Sequence, residues 1–197
     1  TGLKGIPNAA EWKIVERDIA LAEKYDACLH IAHVSTKESI ELIRRAKKRG
    51  IKVTCEVAPH HFALTDEIVT RENTYTKVNP PLRGQADVEA AIRGLTDGTI
   101  DIIATDHAPH DEESKRVDYE RAAFGISGLE TAFAIGYTEL VRKGRLTLQQ
   151  LIDKMSCKPA AILGLEKGTL AVGSMADLVI LDLEEEGVID ARRFVSK

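Results

Sequence analysis

Apolar positions over residues 8–25, NAAEWKIVERDIALAEKY, fall at Trp12, Val15, Ile19 and Ala22. That three- and four-residue spacing predicts a helix with one apolar side, and Asn8 stands where its cap would be. The pattern then changes period. Residues 28–34 read as a strand. Residues 36–49, TKESIELIRRAKKR, return to helical spacing, with Ile40, Ile43 and Ala46 or Lys47 on one side and Gly50 as the stop. A second strand is predicted over 51–58 and a helix over 85–96, with Val88, Ala91, Ile92 and Leu95 inward and Gly98 after it. A third strand follows over 100–105. Residues 127–142, SGLETAFAIGYTELVR, predict a helix capped by Ser127 with Glu130 three residues on, a capping-box pattern. A further helix is predicted over 147–162.

Helices alternating with near-continuous apolar strands imply an α/β fold with a parallel sheet and helices on its outer faces. In such folds the chemistry sits at the carboxyl ends of the strands. After residue 164 the texture changes. GLEKGTLAVGSMADLVILDLEEEGVIDARRF is punctuated by glycine, carries short apolar runs and has no helical period. It predicts a few antiparallel strands of a smaller unit, giving domains of 1–164 and 165–197. Three parallel strands are few for an independent fold, and both ends read as cut.

Composition narrows the function classes. The chain has 197 residues, 44% hydrophobic and 29% charged, with a net charge of −4. No basic stripe stands out, which argues against a nucleic-acid partner. No apolar run reaches the roughly 18 residues of a membrane span. Cys28, Cys55 and Cys157 form no metal-binding or disulfide spacing, and Cys28 and Cys55 read as buried reduced thiols within strands. A cytoplasmic setting is the expectation.

All six histidines collect at three places, each at the carboxyl end of a strand-like run: HIAHVST, EVAPHH and ATDHAPH. His30 and His33 are an odd number of residues apart and point to opposite faces of a strand, so only one serves the mouth. His33 is nearer the strand end, either as a metal ligand or as a hydrogen-bonded strand-end histidine. Asp106 follows an apolar strand directly. It reads as a metal ligand and proton carrier, or as a capping or ion-paired loop carboxylate. His107 points away from Asp106 and fits a packing or supporting role, whereas His110, beyond Pro109, is free to face a ligand. His60 and His61 are adjacent, so at most one faces the mouth, and neither is assigned. KVNPPLRG holds Asn79 and Arg83 in stiff extended backbone, and the Asn79 amide offers a donor and an acceptor. AFGISG brings backbone N–H groups of a glycine-containing loop to a helix start.

Taken together, HVST, EVAPHH, VNPPLRG, ATDHAPH and FGISGLETAF resemble the bacterial-type dihydroorotases of the amidohydrolase superfamily. The resemblance covers nearly the whole chain. HVS and a strand-end Asp are shared with hydantoinases and allantoinases; the series NPPLR, TDHAPH, FGISG is the more specific part. It implies the C-terminal half of a (β/α)8 barrel of TIM type, strands six to eight, and part of a small β-sandwich domain in the tail. The implied activity is reversible conversion of N-carbamoyl-L-aspartate to dihydroorotate, with zinc, one or two ions in the complete enzyme, as cofactor. His33 and Asp106 become metal ligands, Asp106 also the catalytic acid/base, and Asn79, His110, Phe124 and Gly125 substrate contacts. The family's first-strand His-x-His pair occurs nowhere in this sequence. The chain alone is therefore expected to be inactive and completed by an N-terminal half or another copy, within a homo-oligomer. A hydantoinase- or allantoinase-like cyclic amidase, or a catalytically silent scaffold, are the alternatives.

Overall fold

A computed structural model describes residues 2–196. The chain runs through α1 (Asn8–Tyr25), β1 (Leu29–Ile31), α2 (Lys37–Lys48), β2 (Val53–Val57), a single-turn α3 (Pro59–Ala63), α4 (Gln85–Asp97) and β3 (Ile102–Ile103). Short helices α5 (Glu112–Lys115), α6 (Ala132–Gly136), α7 (Leu148–Ile152) and α8 (Lys158–Ile162) follow. A π-helical turn, Tyr137–Val141, extends α6, and another, Asp153–Cys157, joins α7 to α8. The described residues thus form an α/β unit around one parallel sheet, in the order β1-β2-β3.

Register sets what each face carries. Leu29 lies opposite Val53, and Glu56 opposite Ile102. Along β2, Val53, Cys55 and Val57 are buried against the helices, while Thr54 and Glu56 turn to the opposite face, as the two-residue pleat requires. There His30 joins them, its ring nitrogens 2.7 Å from Thr54 Oγ1 and 3.1 Å from Glu56 Oε2. The helix side is filled by Val15 and Ile19 of α1, Ile40, Ile43 and Ala46 of α2, and Val88, Ala91, Ile92 and Leu95 of α4. These are the faces their spacing predicts.

One carboxylate fastens the first loop of the sheet. Glu11, on α1, accepts hydrogen bonds from the Ser35 and Thr36 backbone N–H groups at 3.1 and 3.0 Å, and from both hydroxyls. Thr36 in turn caps α2, its hydroxyl accepting from Ser39 N–H. The Arg83 guanidinium lies 3.6 Å from the same carboxylate and donates to Ser35 Oγ and the Ile6 carbonyl. Helix α1, the loop after β1 and the NPPLRG loop therefore share one buried polar knot.

Several expectations are corrected. Pro7, not Asn8, occupies the α1 cap position; the Asn8 amide instead donates to Glu38 and Asp87. The predicted capping box at Ser127 and Glu130 does not form, and the helix starts at Ala132. The cause is tertiary. Ile126 bridges to His107, and the Gly128 and Leu129 N–H groups donate to His107 Nδ1. Glu130 meanwhile accepts from the backbone of Val195 and Ser196. Cys28 precedes β1 and is exposed, not buried. Among the described residues the tail forms no strand: its regular structure is one 3-10 turn, Ala191–Arg193. Leu170, Val172, Ile180 and Val188 stand exposed. A strand exists by pairing its backbone groups, and these segments have no described neighbour to pair with.

The Glu11 knot has a pH signature. Burial alone would raise its carboxyl pKa above the ordinary 4.5, but hydrogen bonds from Ser35, Ser39 and Thr36 outweigh burial and hold it lower. A depressed folded-state pKa contributes stability above the unfolded value, lost as pH falls through the folded one. Glu11→Ala should lower unfolding free energy by about 3 kcal/mol near neutral pH, since it strands two buried N–H donors and the Arg83 charge. The deficit should shrink as urea melts are taken below about pH 4. Parallel wild-type and variant pH profiles would contradict this role.

Candidate functional site

Three loops leave the carboxyl ends of the three strands and meet. His33 follows β1 with φ 37°, and Asp106 follows β3 with φ 48°; both hold the left-handed backbone that non-glycine residues seldom adopt. That turn ends each strand and swings the side chain over its end. His33 Nδ1 is buried with no hydrogen-bond partner. Asp106 also makes no hydrogen bond among the described residues, and its carboxylate is 28% exposed. Burial raises its pKa above the usual carboxylate range; His33 opposes this and Glu56 adds to it.

The middle strand delivers what the sequence left unassigned. Pro59 sets the first turn of α3, and His60 and His61 are both buried there, ring centroids 4.3 Å apart. His60 Nε2 lies 3.8 Å from Asp106 Oδ2. Burial, with His61 and His33 close by, pushes His60 down to about 3. His61 Nε2–H donates to the Pro80 carbonyl at 3.0 Å, and burial brings its pKa to about 4. Both rings are neutral at physiological pH.

The substrate-side candidates form the rim. Asn79 is exposed in the NPPLRG loop and its amide makes no hydrogen bond among the described residues. His110 Nε2–H donates to the Phe124 carbonyl at 2.7 Å. The Gly125 N–H donates to the Lys77 carbonyl at 3.0 Å, so AFGISG is laid against KVNPPLRG. Phe124 remains 46% exposed. His107 takes the supporting role its direction predicted, accepting from two N–H groups while its Nε2 lies 3.1 Å from Ser196 Oγ. The contacts tie His60 to Asp106, His61 to Pro80, and Lys77 to Gly125.

Two lysines hold this rim. Lys115, almost wholly buried, donates to the carbonyls of Thr74, Lys77 and Ala123. Lys77 Nζ donates to the Glu120 and Ala122 carbonyls and lies 4.4 Å from the Phe124 ring centroid. Neither lysine carried a sequence signal, because their partners are backbone oxygens of distant loops.

The donor set bears on a metal. An orphaned imidazole nitrogen at His33 and an unbonded carboxylate at Asp106 are borderline and hard donors that suit zinc. A catalytic zinc site usually takes three protein ligands, and among the described residues no group of three or more His, Cys, Asp or Glu converges as a metal site. The chain's residues fit part of a metal centre. No helix of the described residues is long and apolar enough to cross a membrane.

A model of the Amidohydrolase family matches residues 4–196. The dihydroorotase of Acetivibrio thermocellus is 58% identical over 196 residues, covering 100% of this chain and 46% of that protein. The dihydroorotase of Pelotomaculum thermopropionicum is 57% identical with the same coverage. The chain thus spans about half the length of the curated relatives it matches. Among solved structures, the L-hydantoinase (dihydropyrimidinase) from Arthrobacter aurescens is similar with a TM-score of 0.88 at 37% identity, over 94% of this chain and 42% of that one. A D-hydantoinase from Thermus sp. gives 0.88 at 32% identity, over 95% and 43%.

The packing of the rim predicts a sensitive glycine. Gly125 sits at φ +124°, and an added Cβ would lie 2.6 Å from Ala108 Cβ and 2.7 Å from the Ala108 carbonyl oxygen. Gly125→Ala should therefore cost about 3 kcal/mol in urea unfolding, through backbone conformation and overpacking together. An unchanged unfolding midpoint would show that the loop yields freely.

Proposed function

The chain belongs to the amidohydrolase family, and on that premise we propose that it is the C-terminal part of a metal-dependent dihydroorotase. It opens dihydroorotate with water to N-carbamoyl-L-aspartate, and closes it in reverse. What supports the substrate is identity of 58% to a dihydroorotase over 196 residues, the whole of this chain. β1, β2 and β3 are then the sixth to eighth strands of a barrel, residues 1–164 part of the catalytic domain, and 165–197 part of a small β domain. An N-terminal portion supplies the remaining strands, in a homo-oligomer.

His33 and Asp106 would hold the metal, taken to be zinc. When bound, it lowers the pKa of a coordinated water to about 7 and polarises the scissile carbonyl. Asp106 accepts the proton of the attacking water and passes it to the ring nitrogen as the amide bond breaks. Its place at the end of β3, with a carboxylate that makes no hydrogen bond among the described residues, suits this exchange. Asn79, with its unbonded amide, and His110, with Nδ1 left over from its bond to Phe124, orient the carboxylate and ring amide groups. Phe124 closes the same side through its exposed ring and backbone N–H, since the Gly125 N–H is engaged by Lys77. A hydantoinase-type cyclic amidase is the second reading, favoured by the 0.88 TM-score to L-hydantoinase.

Steady-state kinetics of the complete enzyme on dihydroorotate and on hydantoin, with metal content measured on the same samples, decides between them. Dihydroorotate should be the better substrate by kcat/KM; preference for hydantoin would reverse the assignment. Asp106→Asn should lose at least about a hundredfold in kcat with metal content near wild type, the size of an acid–base contribution. His110→Ala should raise KM more than it lowers kcat. An Asp106→Asn enzyme with full metal and near-normal kcat would remove the proton-transfer role.

A further inference from the structure

His60 Nε2 and the Asp106 carboxylate face each other across 3.8 Å, and neither has a hydrogen bond among the described residues. The two are unequally free. His60 is 5% exposed, lies against the His61 ring and sits in the turn that Pro59 opens. His61 is in turn bonded to the Pro80 carbonyl. The His60 ring is thus held beside its neighbours with Nε2 buried and unbonded. Asp106, 28% exposed and on the left-handed residue that ends β3, is the member with room to rotate. A shift of about 1 Å brings the pair to an N–H···O distance of 2.7–3.0 Å. Such bonds are often long before substrate arrives and tighten in the reacting complex.

Resting on the dihydroorotase reading above, we infer that His60 is the positioning residue for Asp106. Its Nε2–H holds one carboxylate oxygen at the back of the site, so that the other is presented to the proton it carries. This accounts for a buried polar nitrogen kept unpaired beside the reacting group. It also gives α3 its use: one turn placing a rigid donor behind a carboxylate delivered by the neighbouring strand. A ring with its hydrogen on Nε2 can donate to the carboxylate oxygen it faces.

The test uses the complete enzyme with dihydroorotate and hydantoin. A glutamine side chain places its NH₂ near the position of Nε2; asparagine places it near Nδ1. His60→Gln should stay close to wild type. His60→Asn and His60→Leu should lose about 10–100-fold in kcat, with KM changed far less and metal per chain unaltered. In an Asp106→Asn background, His60→Leu should cause no further loss, because a positioning residue has nothing left to position. An equal further loss in that background, loss of metal along with activity, or equal behaviour of His60→Gln and His60→Asn would each overturn the inference. If His60→Leu does not fold, the Gln and Asn pair decides alone. Failure of the reading looks different: a wild type that opens hydantoin but not dihydroorotate changes the substrate, and the same variants are then read on hydantoin. A wild type that opens neither overturns both.

Discussion

The Glu11 carboxylate is the constraint on which the placement of the site depends. It lies on the first helix, yet its hydrogen bonds go to the loop that leaves β1 and its charge faces Arg83 in the loop that precedes α4. His33 is two residues before Ser35, so fixing Ser35 and Thr36 fixes where the His33 ring can go. Arg83 ends the NPPLRG loop that carries Asn79. Loss of the carboxylate would leave two buried N–H groups unbonded and the Arg83 charge without its counter-ion, so Glu11 ties these three segments together. The apolar core beneath them is ordinary; the polar knot decides how the loops sit on it.

A second tie works at the rim by other means. Lys115 and Lys77 donate to five backbone carbonyls between them, four in irregular loop segments and one, Thr74, at the start of a 3-10 turn. Irregular backbone near a site has acceptors that no helix or strand satisfies, and a buried ammonium with three donors answers several at once. Burial and the neighbouring Lys77 lower the pKa of Lys115. Carbonyl dipoles take the place of counter-ions in holding its charge.

Much of this was readable in the sequence, for physical reasons. The long helices report themselves because burial on one side repeats over three turns or more, and Ile40, Ile43, Val88 and Leu95 lie where their spacing puts them. That His33 and Asp106 stand just past β1 and β3 was readable because the apolar runs mark where those strands stop. Where periodicity was too short to speak, the reading failed. Helix α3 is five residues long, so nothing marked His60 as facing Asp106. The Ser127 and Glu130 capping signal was genuine in form, but His107 and the tail competed for the same groups and won. The tail's alternating apolar residues imply strands, yet strands need a neighbour, and sequence pattern cannot supply one. The match to the amidohydrolase family then placed residues 4–196 in one family, which composition alone did not.

The left-handed backbone at His33 and Asp106 has a further consequence. Each holds a conformation that costs an L-residue of this kind on the order of 1 kcal/mol, and that glycine or asparagine adopts more easily. Glycine or asparagine at either position would therefore relax the main chain while removing the imidazole or the carboxylate. At these two turns the easiest route to a sturdier chain thus runs through the loss of the imidazole and the carboxylate proposed to hold the metal.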